Sequence, residues 1–258
     1  SAQLLGRDDV ARRAQNLYLD DGTTPVNKPD LRVISCHLGG SSSIAGILNG
    51  VAIGNSLGMS PQSGLPHNNR VGDLDSEAIP YAAKTLGITL EEARRQLTKD
   101  SGLKGLSGGL SNDIRDIREA AAKGNAKAKL AIDVFVASAR HWISSYFFAL
   151  NGADALVFTA GIGENQTKIR EAICANLDQL GIVLDPETNK AARATEAVIS
   201  APHSRVKVMV VPTNEELVVA RETKRFLEQH QTAGSRVTGR ESRNTQHARL
   251  STLSTINH

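Results

Sequence analysis

Apolar positions in this chain fall into short dense runs separated by clusters of glycine, serine and asparagine, and their period changes along the chain. Residues 31–36 (LRVISC) form a compact apolar run that predicts a buried strand. A Gly/Ser turn over 37–43 follows, and residues 44–48 predict a second strand. Asn49-Gly50 is a two-residue hairpin signal that returns the chain into a third strand over 51–55. Helical spacing then takes over. It predicts helices over 89–99, 114–123 and 126–150, with an earlier one over 8–19 that places Val10, Ala14, Leu17 and Tyr18 on one side. The runs at 153–159 (ADALVFT) and 206–211 (VKVMVV) predict central strands, each leading through a glycine or proline turn into a helix, over 167–181 and 215–227. An antiparallel opening followed by strand–loop–helix units is an α/β pattern.

Three segments follow from this reading: an N-terminal helix and linker over 1–30, a main domain over 31–229, and a tail over 230–258. The tail is rich in Ser, Thr, Asn, Gln and Arg with few apolar residues, so it cannot bury enough surface to offset ordering entropy and reads as disordered. It also changes the meaning of the net charge of +3. Arg236, Arg240, Arg243 and Arg249 against Glu241 account for all of it, which leaves the remainder neutral and without a basic field for nucleic acid. Aromatics at 3% make stacking surfaces for single strands an unsuitable reading. Two cysteines, Cys36 and Cys174, exclude a disulfide scaffold and a two-plus-two metal spacing. No apolar run reaches a membrane span and no signal pattern opens the chain, so the expected location is the cytoplasm. The long helix at 131–150 suits the core first and a subunit interface second.

Candidate chemistry sits on the turns. At 37–43 (HLGGSSS), two glycines let backbone amides approach an anion and three serines add hydroxyls, but no Gly-Lys-Ser/Thr ending makes it a P-loop. At 64–75 (GLPHNNRVGDLD), Arg70 suits a bidentate clamp on a phosphoryl or carboxylate group, with two acids close behind; His67 reads as a loop residue rather than a base. At 107–116 (SGGLSNDIRD), a glycine-rich loop enters a helix, and Asp113 is either its N-cap or a ligand contact. Finally, 158–165 (FTAGIGEN) and 211–216 (VPTNEE) are strand ends that turn into helix starts, the place where α/β sheets bind nucleotides. Glu215 is either a first-turn acid favoured by the helix dipole or a carboxylate for Mg2+ beside phosphate oxygens.

In order and spacing, these segments resemble the acetate kinase (acetokinase) family of the actin-like and sugar-kinase superfamily, across about residues 30–228. The residues that carry the resemblance are Cys36 to Gly40, Asn49-Gly50, the stretch from Met59 to Asp75, 105–116, 158–165 and 211–216. The resemblance implies a ribonuclease H-like (actin-like ATPase) fold, with a mixed sheet flanked by helices. It implies an enzyme that transfers the γ-phosphoryl of ATP to acetate with Mg2+. On that pattern His37, Leu38, Gly39, Gly40 and Ser41 form a first nucleotide-phosphate segment. Asp113, Ile114 and Arg115 form a second, and Gly161, Ile162, Gly163, Glu164 and Asn165 a third. Arg70 is the transition-state-stabilising arginine and Glu215 the Mg2+ ligand. The implied partners are ATP, a small carboxylate and a second copy of the chain, with no nucleic acid or membrane.

The chain departs from the family pattern in two places. Gly40-Ser41 stands where Asn-Gly is usual, and Asn68-Asn69 stands where Gly-Thr usually precedes the arginine. Both bear on donor and acid preference. The family's metal- or phosphate-side Asn, substrate-binding Arg, catalytic Asp and second transition-state-stabilising His have no counterpart here, so the chain is expected to be the C-terminal portion, lacking part of the acetate pocket. Rival readings are a propionate or butyrate kinase, a pyrophosphate-using relative, and a non-catalytic nucleotide-binding fragment.

Overall fold

A computed structural model describes residues 1–15, 29–228 and 230, and divides the chain into one compact unit through Pro212 and a second from Thr213 onward. The first unit is built on a six-stranded mixed sheet flanked by helices. β1 (Arg32–Leu38), β2 (Ser42–Leu48) and β3 (Val51–Asn55) form the antiparallel opening; β4 (Ala155–Thr159), β5 (Ala197–Val198) and β6 (Lys207–Val210) complete the order β3-β2-β1-β4-β6-β5. β4 runs parallel to both β1 and β6, with Val33 opposite Ala155 and His37 opposite Thr159. Every residue of β4 is buried, as expected of a central strand covered on both faces.

Alternation on β1 assigns the two faces. Ile34, Cys36 and Leu38 point into the larger core, with Ile44, Leu156, Phe158, Val208 and Val210 from the neighbouring strands. The main covering element is the 24-residue helix Ala126–Ala149, whose Ala128, Ala131, Phe135, Ala139, Ile143 and Tyr146 recur every three or four positions and are buried. Asn125 caps it by accepting from the Ala128 N–H at 3.0 Å. Leu130 and Phe148, off that stripe, are exposed. On the reverse face Val33, Ala155, Val157 and Met209 meet Val10 of the helix Asp8–Gln15 and Leu31. The remainder of the helix expected over 8–19, and the tail from 231 onward, lie outside the described residues.

Several elements differ from the sequence reading. β1 runs on through His37 and Leu38, because those residues pair with Ser43 and Ser42 before the chain turns. The expected helix over 167–181 stops at Cys174: Asn176 takes a left-handed φ of 56°, and a short turn of 3-10 helix (Asp178–Leu180) replaces the continuation. The Arg140 side chain closes that helix end from outside by donating to the carbonyls of Ile173 and Ala175. The helix Ala78–Leu86 was masked in the sequence by Pro80, which sits within the first turn, where a missing N–H costs nothing. The glycine turn after β4 is itself a six-residue helix, Ala160–Asn165. In the second unit a helix over 215–228 starts with Asn214 accepting from the Leu217 N–H. Among the described residues no helix is long and apolar enough to cross a membrane.

Candidate functional site: a cavity at the strand ends

β1 and β4 end side by side, so the turns that follow them leave the sheet together. Between these turns lies a cavity of about 320 Å³ lined by Gly39, Gly40, Asn68, Asp113, Ile114, Arg115, Gly161, Ile162, Asn165 and Gln166. Three segments singled out from the sequence therefore meet at one wall. Eight residues proposed for nucleotide contact line it: Gly39, Gly40, Asp113, Ile114, Arg115, Gly161, Ile162 and Asn165. Five do not. Leu38 is fully buried in the main core; Glu164 is buried and Gly163 turns its carbonyl to Arg170; His37 and Ser41 flank the turn without lining the cavity. Glu215 lies in the first turn of the helix over 215–228 in the second unit.

Asp113 combines the two roles left open by the sequence. It caps the helix Ile114–Ala122 by accepting from the Arg115 N–H at 2.8 Å, and it lines the cavity. The Arg115 guanidinium also bonds it, at 3.0 Å through Nε, and this pairing, with the backbone bond, holds the carboxyl below its ordinary pKa. The carboxylate thus stays ionised and offsets the charge of Arg115 and of the helix N-terminus that it caps.

The loop carrying Arg70 is held by its backbone. The carbonyls of His67, Asn68 and Asn69 accept from the N–H groups of Leu103, Lys104 and Ser101 at 2.8, 2.9 and 3.1 Å. These donors belong to the start of the short helix Gly102–Leu106 and its cap. Gly102 makes the approach close. At its φ of 60°, a Cβ would stand 2.2 Å from the His67 carbonyl oxygen. Val71 and Asn68 add bonds to Leu97 and Gly40, and Asp73 accepts from both the Gly64 N–H and Trp142 Nε1. Asp73 is therefore a loop brace, and Asp75 likewise accepts from the Glu77 N–H. The half-buried Arg70 guanidinium donates through Nη1 to the Pro61 carbonyl at 2.5 Å, and among the described residues no carboxylate pairs with it.

His67 is a fully buried brace as well. Its Nδ1 accepts from the Ser42 N–H at 2.9 Å, and its Nε2 faces the Ser63 carbonyl at 3.3 Å. An N–H on one side and a carbonyl on the other assign the neutral ring with the proton on Nε2. Burial, and then the charge of Arg70, push its pKa below the ordinary histidine range.

Arg170 carries structural weight that the reading of the sequence missed. This fully buried guanidinium makes five hydrogen bonds of 2.8 Å: to the Gly163, Glu164, Asn189 and Ala192 carbonyls and to Asn189 Oδ1. It fixes the C-terminal end of the helix Ala160–Asn165, whose Gly161, Ile162 and Asn165 line the cavity. Burial lowers its pKa to about 10, so it remains charged at neutral pH. The available signal was its position on the buried stripe of Thr167–Cys174, between Ile169 and Ile173. Arg118 ties the opposite wall to this one by donating through Nη1 to the buried Gln166 side chain.

The family model described as the acetokinase family matches residues 20–221. Acetate kinase of Methanosarcina thermophila is 46% identical over 205 residues, covering 79% of this chain and 50% of that protein. Acetate kinase of Moorella thermoacetica is 48% identical over 200 residues, covering 77% and 50%. Among solved structures, Porphyromonas gingivalis acetate kinase superposes with a TM-score of 0.74 at 38% identity, covering 84% of this chain and 53% of that one. A propionate kinase from Francisella tularensis superposes at 0.70 with 36% identity, covering 83% and 52%. The chain spans about half the length of the curated relatives it matches.

Proposed function

This chain belongs to the acetokinase family, and from that premise we propose that it carries the nucleotide-holding and phosphoryl-stabilising part of an ATP:acetate phosphotransferase, which forms acetyl phosphate and ADP reversibly. The observation that carries the reading is the cavity at the ends of β1 and β4, walled by the glycine turn, the 113–115 helix start and the 160–165 helix. Neighbouring parallel strand ends with glycine turns suit a phosphate chain.

The transfer breaks the bond from the γ-phosphorus to the β–γ bridging oxygen and forms one to a carboxylate oxygen. The acceptor is already an anion, so no strong base is required. That agrees with His67, whose two ring nitrogens are both engaged by backbone groups. The barrier lies in bringing anions together and in charge spread over the transferred oxygens, which the Arg70 guanidinium counters. Among the described residues no three His, Cys, Asp or Glu side chains cluster as a metal cage. Mg2+ needs none, since it binds through phosphate oxygens, water and one or two carboxylates. The Glu215 carboxylate is a hard oxygen donor of the right kind to hold it. When bound, the ion neutralises charge on the phosphate oxygens.

ATP and a short carboxylate are the small-molecule partners in this reading, the location is the cytoplasm, and the assembly is a homodimer, as the family resemblance implies. The likeness to a propionate kinase favours one second reading, a preference for a longer acid. Two measurements test the proposal. In the full-length enzyme, Arg70→Ala is expected to lower kcat in a hydroxamate assay by roughly 10²–10⁴-fold, the range of single electrostatic groups; a loss under fivefold removes Arg70 from the role. Glu215→Ala is expected to raise the Mg2+ concentration needed for half-maximal rate, and an unchanged titration rejects that assignment. Relative kcat/KM for acetate, propionate and butyrate in the same assay separates the two acid preferences.

A further inference from the structure

Asn68 stands between the glycine turn and Arg70, and its backbone is fixed on both sides. Its N–H donates to the Gly40 carbonyl at 3.2 Å and its carbonyl accepts from the Lys104 N–H at 2.9 Å. The backbone is pinned at this position, and the side chain lines the cavity beside Gly39 and Gly40. It comes so near the glycine turn that a Cβ on Gly40 would lie 3.3 Å from Asn68 Nδ2. A side chain at position 40 and the Asn68 amide would therefore compete for one volume. Among the described residues the Asn68 side-chain amide has no hydrogen-bond partner, which leaves its two N–H donors for what enters the cavity. Gly40 and Asn68, one residue from each of the two departures from the family pattern, are thus neighbours in space.

We propose that the Asn68 side-chain amide is a phosphate-binding group of this site, which donates to a terminal phosphate oxygen of the nucleotide from the space that Gly40 leaves open. The chemistry of the surroundings selects an anionic oxygen. The neighbouring wall is a glycine turn; across the cavity lies the helix start at Ile114, where the lining Asp113 carboxylate is already taken up by the Arg115 guanidinium and N–H, and the Asn68 amide adds two donors. Arg70, two residues along the chain, does not itself line the cavity; its proposed place at the transferred phosphoryl assigns the amide to the distal phosphates rather than to the nucleoside. Positions 40 and 68 then act as a unit in which one side-chain amide suffices, supplied here from 68. This inference rests on the reading of the cavity as a nucleotide site.

Calorimetric titration of the 258-residue chain with ATP, ADP and AMP, in the presence of Mg2+, tests it. Asn68→Gly is expected to weaken ATP and ADP about tenfold, the scale of one hydrogen bond to a charged group, and to leave AMP unchanged. Asn68→Asp keeps the shape but replaces the donors with a negative charge, and is expected to weaken ATP more than Asn68→Gly does. The double variant Asn68→Gly with Gly40→Asn removes the crowding and returns an amide from the other side; it is expected to bind ATP within about threefold of the starting chain. Retained ATP affinity in both single variants overturns the proposal, as does an equal loss for AMP, which would signify general damage to the fold. A double variant no tighter than Asn68→Gly overturns the shared space. An unsubstituted chain that binds none of the three nucleotides rejects the nucleotide reading and this inference together.

Discussion

Two walls of the same cavity are held in opposite ways. The 160–165 wall depends on one side chain, since Arg170 alone gathers the carbonyls of Gly163, Glu164, Asn189 and Ala192. The 67–70 wall depends mainly on main-chain groups, with the His67 ring as an added brace: three carbonyls accept from the helix Gly102–Leu106 and its cap, and glycine at 102 permits the approach. The first design concentrates its cost at one position. The second spreads it over backbone bonds that most side-chain changes leave intact, so the loop can change the residues it presents while keeping Arg70 in place. Asn68 and Asn69 occupy that tolerant wall.

The contrast is broken most directly at Arg170. Arg170→Met strands buried acceptors and is expected to destabilise the chain by about 4 kcal/mol in urea melts, with Arg170→Lys recovering part of the loss. Gly102→Ala should cost roughly 3 kcal/mol, because its left-handed φ and the approach of a Cβ to the His67 and Arg70 carbonyls, at 2.2 and 2.5 Å, have to be relieved by a shift of the 67–70 backbone. If Gly102→Ala proves the costlier of the two, the loop is the concentrated wall and the comparison reverses.

The smallest effect is in pH. His67 has a folded pKa below its unfolded value of about 6.5, so its stabilising contribution is complete above that pH and is lost as pH falls toward the folded pKa. The melting temperature should therefore decline between pH 7 and pH 5, and the decline should flatten in His67→Asn. An identical slope in that variant assigns the pH dependence to other groups.

Much of this was legible in the sequence because it depended on local pattern. The strands expected over 31–36, 44–48 and 153–159 announced themselves through apolar runs bounded by glycine and asparagine, though not their extension through 37–38 and 42–43, and Asp113 could be placed at a helix start from its neighbours alone. The features that escaped depend on distant groups. Nothing near Cys174 tells that Arg140 will close its helix. Ala160 holds a left-handed φ of 62° at the foot of a short helix, a conformation that alanine does not advertise. Arg170 reads as an ordinary surface charge until the 189–192 segment folds over it. The meeting of Gly40 and Asn68 joins two chain segments that sequence spacing leaves apart.

The registered pairing of His37 with Thr159 also has a bearing on motion. The glycine turn and the 160–165 helix hang from adjacent rungs of one ladder, with a strand spacing near 4.8 Å that hydrogen bonds do not allow to stretch. This side of the cleft is an anvil. In the nucleotide reading proposed above, the grip comes from the hammer side, where the Arg70 loop and the 113–115 turn are carried by connections outside the sheet.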